Sequence, residues 1–119
     1  MSYLIRKTDT FLRNWKKNPD RYPLIIKGAR QVGKTETIRK FAKENYKNLV
    51  EINFITEPAY KTIIDEGFSA DNILKLISRI DPSKHFDTGE TLLFFDEIQD
   101  FPEIATSLKF FKENGKYDV

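Results

Sequence analysis

The sequence predicts a three-layer α/β domain with a mainly parallel β-sheet. Three short apolar runs, within residues 22–27, 49–54 and 91–95, have the length of buried strands. Segments with the apolar spacing of helices separate these runs, so strand and helix alternate along the chain. Because such strands are apolar on both faces, we expect helices on either side of the sheet and right-handed crossovers.

The composition is that of an ordinary folded domain. The chain has 119 residues, 39% hydrophobic and 32% charged, which is enough for one small core. A net charge of +2 does not indicate nucleic acid binding. Cysteine is absent, which excludes disulfides and thiolate metal sites, and no apolar run approaches the ~20 residues that cross a bilayer. We therefore expect a cytoplasmic protein without a membrane partner.

Residues 1–21 predict an N-terminal helical segment ahead of the first strand. Residues 8–10 offer capping oxygens, after which Phe11, Leu12 and Trp15 fall on one helical face. The helix should end before Pro19, since the residue preceding a proline avoids helical geometry. We expect its apolar face to pack on the domain; contact of the two aromatic rings with an adenine base is the alternative.

The first predicted strand, residues 22–27, leads into the pattern Gly, four residues, Gly-Lys-Thr, and then a helix over residues 34–46. This is the phosphate-binding loop, or Walker A, signature. Its glycines let main-chain N–H groups approach an anion at the positive end of the helix. Lys34 is predicted to contact the β- and γ-phosphates in a catalytic role, and the Thr35 hydroxyl to ligate Mg²⁺. The predicted nucleotide-binding residues are Gly28, Ala29, Arg30, Gln31, Val32, Gly33, Lys34 and Thr35.

The middle of the chain predicts one strand followed by two helices. The second strand spans residues 49–54, and a helix is predicted over residues 58–66. Ser69 caps another helix, which ends before Pro82. Residues 83–90 are polar and predict a loop.

The third predicted strand, residues 91–97, carries the second motif, because four apolar residues precede Asp96 and Glu97. This pattern matches a Walker B signature. Asp96 emerges at the carboxyl end of the strand, where open α/β sheets bind ligands, and is predicted to serve Mg²⁺. Glu97 is placed to orient and deprotonate an attacking water. A helix beginning near Pro102 and ending at Gly115 completes the pattern.

The two motifs together resemble those of AAA-type P-loop ATPases whose catalytic glutamate follows the Walker B aspartate. Arg-Gln-Val-Gly-Lys-Thr and Phe-Phe-Asp-Glu-Ile-Gln resemble a bacterial and archaeal group with a C-terminal domain of unknown function. The resemblance implies a P-loop NTPase fold over residues 22–119, with ATP and Mg²⁺ as cofactors. By the family pattern Lys34 contacts phosphate, Thr35 and Asp96 serve Mg²⁺, and Glu97 activates water.

The resemblance also implies a strand after Gly115 that lies between the first and third strands and carries a polar sensor residue. In this sequence that strand begins at Tyr117 and stops at Val119. We therefore predict a domain truncated before the sensor strand, impaired in hydrolysis when alone, with its own missing C-terminal region as a partner.

Asn53, near the end of the second strand, leaves two roles open. In related ATPases a polar residue at this place hydrogen-bonds the catalytic glutamate and holds it inactive until a partner binds. The alternative is an asparagine that caps the end of the strand.

The leading functional interpretation is ATP binding and Mg²⁺-dependent hydrolysis that drives conformational change in an attached domain. The alternative is a nucleotide-gated switch module, or a remnant that binds ATP without useful turnover. Glu97 favours the first interpretation, and the absent downstream parts favour the second. A helicase, suggested by Asp-Glu-Ile-Gln, would need a second domain and a basic channel that are not visible. A protein client or a second copy of the chain is the expected macromolecular partner.

Overall fold

The computed structural model describes residues 3–26 and 34–119, with side chains from residues 7–26 and 35–119. The regular elements, in chain order, are α1 (Tyr3–Lys17), α2 (Lys34–Asn45), β1 (Asn48–Asn53), α3 (Ala70–Ile80), β2 (Thr91–Asp96) and α4 (Leu108–Asn114). The 3₁₀ segments are Pro58–Ile64, Ile98–Asp100 and Pro102–Ser107.

Within the described ranges, the sheet consists of two parallel strands, β1 and β2. The register runs from Asn48 opposite Thr91 to Asn53 opposite Asp96. The parallel strand direction expected for the sheet is therefore confirmed, whereas the sequence did not predict that these two strands are neighbours. Because the strands run the same way, their carboxyl ends lie at the same edge of the sheet.

The last residues of the chain lie beside β2. The Leu93 N–H donates to the Asp118 carbonyl at 2.9 Å, and Leu92 and Asp118 form a parallel bridge. On the other side, the Leu24 N–H donates to the Val119 carbonyl at 2.9 Å. Residues 118–119 thus lie between β2 and residues 22–26, in the order that the family resemblance implies.

The prediction of a strand over residues 22–27 is wrong for residues 22–26, which form no strand; Lys27 lies outside the described residues. Among the described residues, this segment joins the sheet through the hydrogen bond from Leu24 to Val119. A strand needs a ladder of successive partners, and one hydrogen bond does not provide it. The α/β architecture holds, whereas a full three-layer P-loop fold stays an expectation.

α1 begins earlier than predicted, at Tyr3, so residues 8–10 lie inside the helix and not at its cap. Its end at Lys17, ahead of Pro19, agrees with the prediction. Phe11 does not pack on the domain, because 57% of it is exposed, whereas Leu12 is buried. The helix therefore packs through a narrower face than the three apolar residues suggested.

Two segments predicted as α-helix are 3₁₀ helices, Pro58–Ile64 and Pro102–Ser107. In the first, the buried side chains are Tyr60 and Ile63, three positions apart. Side chains three apart lie above one another in a 3₁₀ helix, so this spacing buries both with one face. The apolar pattern alone does not separate the two helix types over so few residues.

α3 agrees most closely with the sequence prediction. The Ser69 Oγ accepts a hydrogen bond from the Asn72 N–H at 3.2 Å, which caps the helix as expected. Ile73, Leu74 and Ile77 are buried on the opposite side from the solvent. Full burial of each such side chain contributes about 1.5–3 kcal/mol, so this face fixes α3 on the sheet.

Two hydrophobic clusters cover the two faces of the sheet, and β2 contributes to both. Leu92 belongs to a cluster with Leu12 of α1 and Phe41 of α2. Leu93 belongs to the other, with Ile73 of α3. Successive side chains of a strand point to opposite faces, so helices lie on both sides of β2.

Candidate functional site

A cavity of about 570 Å³ lies against the edge and carboxyl end of β2. Its walls are mostly apolar and come from α1, residues 24–26, α2, β2 and the segment leading into α4. Trp15 lines it, and so do four polar side chains, which are Thr35, Asp96, Glu97 and Gln99. A mostly apolar cavity with a few convergent polar groups is the usual form of a ligand site.

Thr35 reaches the cavity because it lies in the first turn of α2. The buried face of this helix, with Ile38, Phe41 and Ala42, packs in the cluster that contains Leu92. This packing fixes the start of α2 relative to β2. A helix start presents backbone N–H groups and positive potential to a ligand.

The predicted phosphate loop lies largely outside the described residues. This applies to Gly28, Ala29, Arg30, Gln31, Val32 and Gly33. The backbone of Lys34 begins α2, but its side chain is also outside the description. The roles assigned to these residues stay predictions.

Asp96 is the last residue of β2, and two backbone N–H groups donate hydrogen bonds to it. Its carbonyl accepts the Phe54 N–H at 3.2 Å, and its Oδ1 accepts the Glu97 N–H at 2.9 Å. The preceding Phe95 packs against the Phe54 and Phe111 rings, with centroids 5.7 and 6.4 Å away. The strand end that carries the carboxylate is thereby fixed at the cavity.

Glu97 has a left-handed backbone conformation, with φ 59° and ψ 45°. It is the one non-glycine residue with positive φ among those the structure describes. This conformation costs a residue with a side chain about 1–2 kcal/mol, and such strain clusters at functional sites. Nothing in the sequence predicts it, because glycine or asparagine is the usual signal for a left-handed residue.

Gln99 is a cavity residue that sequence reasoning missed. It lies in the 3₁₀ turn Ile98–Asp100, and its Nε2 donates a hydrogen bond to the Glu97 Oε2. In the sequence Gln99 is simply a polar residue two positions after Glu97. The contact between the two side chains depends on the geometry of the turn, which the sequence pattern does not indicate.

Asn53 caps the end of β1. Its Oδ1 accepts the N–H groups of Ile55 at 2.9 Å and Thr56 at 3.1 Å. A side-chain oxygen that bonds the backbone two and three positions on is the usual asparagine turn. Of the two roles left open, the capping role is the one that these hydrogen bonds support.

Trp15 combines packing with a place on the cavity wall. Its Nε1 donates to the Tyr22 carbonyl at 2.8 Å, and its ring lies 6.4 Å from that of Phe41. These contacts agree with the expected packing role. They also tie α1 to the segment that leads toward the predicted phosphate loop.

The oxygens at the cavity fit a magnesium ion of the P-loop type. In the described part of the chain, no three His, Cys, Asp or Glu side chains are grouped to hold a metal. Mg²⁺ in nucleotide sites does not need such a group, because one or two protein oxygens act together with phosphates and waters. The Thr35 hydroxyl and the Asp96 carboxylate share one cavity and are donors of this kind.

An α/β arrangement in which a helix start and the acidic end of a parallel strand share one cavity is typical of P-loop ATPase-like domains. A family model described as an AAA domain matches residues 20–119. The chain therefore belongs to this AAA domain family, and the AAA-type recognition made from the two motifs is confirmed. No curated protein and no solved structure matches the chain. None of the helices in the described ranges has the length and hydropathy needed to cross a membrane.

Proposed function

We propose that this chain binds ATP with Mg²⁺ and hydrolyses it. The observation that carries the proposal is the cavity shared by Thr35 from the start of α2 and by Asp96 and Glu97 from the end of β2. Membership in an AAA domain family supports the same function, because such domains are ATPase-like. The nucleotide would bind with its phosphates toward the start of α2.

Each residue of the site then has a separate task. Lys34 and the main chain of residues 28–33 bind the phosphates, and Thr35 and Asp96 supply oxygens to Mg²⁺. The metal, when bound, neutralises charge on the β- and γ-phosphates. Asp96 is restrained for this task by the hydrogen bond from the Glu97 N–H to its Oδ1.

Glu97 is the proposed general base. Its carboxylate accepts a proton from a water whose oxygen attacks the γ-phosphorus. The bond from that phosphorus to the β–γ bridging oxygen breaks, and ADP and inorganic phosphate leave. General-base catalysis of this kind contributes about 10²- to 10⁴-fold in rate.

The proposal is tested by measuring Mg-ATP affinity and turnover in matched variants. Lys34→Ala should weaken affinity about ten-fold or more, since a charged hydrogen bond contributes about 1.5–3 kcal/mol. Lys40→Ala, in the same helix but exposed, is the control and should bind as the wild type does. Glu97→Gln should keep affinity and lose turnover.

Two results would contradict the proposed binding of Mg-ATP, and a third would contradict its hydrolysis. Wild-type protein that does not bind Mg-ATP would exclude it, as would equal affinities for the Lys34→Ala and Lys40→Ala variants. Binding without turnover in the wild type would instead favour the nucleotide-gated switch module.

A further inference from the structure

We propose that Gln99 is a positioning residue that holds the Glu97 carboxylate in its place on the cavity wall. The proposal rests on the proposed function, since it concerns a partner of the proposed general base. The Gln99 Nε2 donates to the Glu97 Oε2, and both residues line the same cavity.

The backbone around the pair is fixed, so Gln99 donates from a defined position. The Asp100 N–H donates to the Glu97 carbonyl at 3.1 Å, which closes a tight turn over residues 97–100. The next residue, Phe101, is buried, and its ring centroid lies 4.9 Å from that of Phe54. The turn is therefore anchored in the hydrophobic core on one side and presents Gln99 to the cavity on the other.

The chemistry of the proposed base explains why a neutral donor is suited to this position. Glu97 is only partly buried, so its side chain needs a restraint to stay within hydrogen-bond reach of the attacking water. A carboxylate has two oxygens with about four lone-pair sites. The amide hydrogen bond to Oε2 restrains the group, and a neutral donor to one oxygen is compatible with proton acceptance by the carboxylate.

The first test separates positioning from binding. Gln99→Met keeps a side chain of similar length but removes the donor, and we expect kcat to fall about ten-fold with KM and Mg-ATP affinity unchanged. In a Glu97→Gln background the same substitution should cause no further loss, because there is no carboxylate to position. Asp100→Asn, in the same exposed turn, is the control and should keep wild-type kcat.

The second test does not depend on turnover. The sequence contains two glutamines, Gln31 and Gln99, so the Gln99→Met variant assigns the Gln99 side-chain amide in a proton–nitrogen NMR spectrum. Glu97→Ala should shift that resonance, because it removes the carboxylate that accepts the Gln99 amide hydrogen bond. Unchanged Gln99 signals would overturn the proposal.

The outcomes distinguish this proposal from the one on which it rests. Wild-type turnover together with an unchanged kcat in Gln99→Met would overturn the role of Gln99 and leave the ATPase function standing. A Gln99→Met variant that loses affinity as much as kcat would also overturn it. Wild-type protein without ATP binding or turnover would overturn both proposals.

Discussion

Arg21 and Asp118, which are 97 positions apart in the chain, form a bidentate ion pair. The Arg21 Nε and Nη2 donate to the two Asp118 carboxylate oxygens at 2.9 and 2.8 Å. The Tyr46 hydroxyl donates to the same carboxylate at 2.6 Å, and the Lys16 Nζ lies 3.9 Å away. The Asp118 carboxylate thus holds together Lys16 of α1, Arg21, and Tyr46, which directly follows α2. Asp118 itself forms the bridge to β2.

Removing this carboxylate should destabilise the fold. Asp118→Ala leaves the partly buried Arg21 and the buried Tyr46 without their shared acceptor, and we expect a loss of about 2 kcal/mol in the free energy of unfolding. Urea unfolding followed by circular dichroism measures it. Asp20→Asn, an exposed carboxylate next to Arg21, is the control and should change stability by less than about 0.5 kcal/mol. Equal effects of the two variants would contradict the prediction.

The same cluster should make the protein sensitive to alkali. Burial and the hydrogen bond to Asp118 raise the pKa of the Tyr46 phenol well above its usual value of about 10. A raised folded pKa means that the stabilisation is fully present below pH about 10 and is lost as the pH rises, because the unfolded chain ionises first. Tyr46→Phe should flatten this alkaline decline.

The measurement is the free energy of unfolding from neutral pH to pH 11.5 for wild type and variant. Tyr22→Phe is the control, since Tyr22 is 69% exposed. A steeper alkaline decline in Tyr46→Phe than in the wild type would contradict the assignment.

Acid should weaken a second ion pair cluster. Glu66 accepts hydrogen bonds from Lys75 at 3.1 Å and Arg79 at 3.2 Å, and the Lys75 hydrogen bond lowers the pKa of the Glu66 carboxyl. A lowered folded pKa means that the stabilisation is present above the unfolded value of about 4.3 and is lost as the pH falls through the folded pKa. Glu66→Gln should therefore show a shallower loss of stability on acidification, with exposed Glu103→Gln as the control.

Urea unfolding between pH 3 and 7, at low and high salt, measures the effect. Salt should reduce the difference between wild type and Glu66→Gln, because the cluster is exposed and its charges are screened. A difference that salt leaves unchanged would argue against an electrostatic origin.

The left-handed backbone of Glu97 predicts a conflict between stability and function. Glu97→Gly should raise the free energy of unfolding by up to about 1 kcal/mol, since glycine adopts positive φ without steric cost, and should abolish turnover. Glu97→Ala is the matched control, because it removes the carboxylate and keeps the strain. A glycine variant that is no more stable than the alanine variant would show that the strain is relieved elsewhere.

Regular elements with strong local signals could be predicted from the sequence. The cap at Ser69 and the apolar face of α3 act within a few residues, and the runs that became β1 and β2 are long enough to be recognised. The placing of Thr35, Asp96 and Glu97 at one cavity follows from the rule that parallel strands and the helices between them share one edge.

What could not be predicted depends on partners distant in sequence. Residues 22–26 have the composition of a strand, but strand structure requires pairing along their length, which composition does not report. The left-handed Glu97 and its contact with Gln99 arise from the turn that Phe101 anchors in the core. No local pattern encodes that anchor, so both features appear only in three dimensions.

β2 separates the two hydrophobic clusters, because Leu92 packs in one cluster and Leu93 in the other. A loss of packing in either cluster therefore affects the positions of Asp96 and Glu97 at the end of the strand. A substitution that leaves a cavity at Ile73, which does not line the site, should therefore displace the Asp96 carboxylate as much as a cavity-forming substitution at Phe41. Tolerance to mutation in this domain should for that reason be lowest along one central strand, and not in a shell around the ligand.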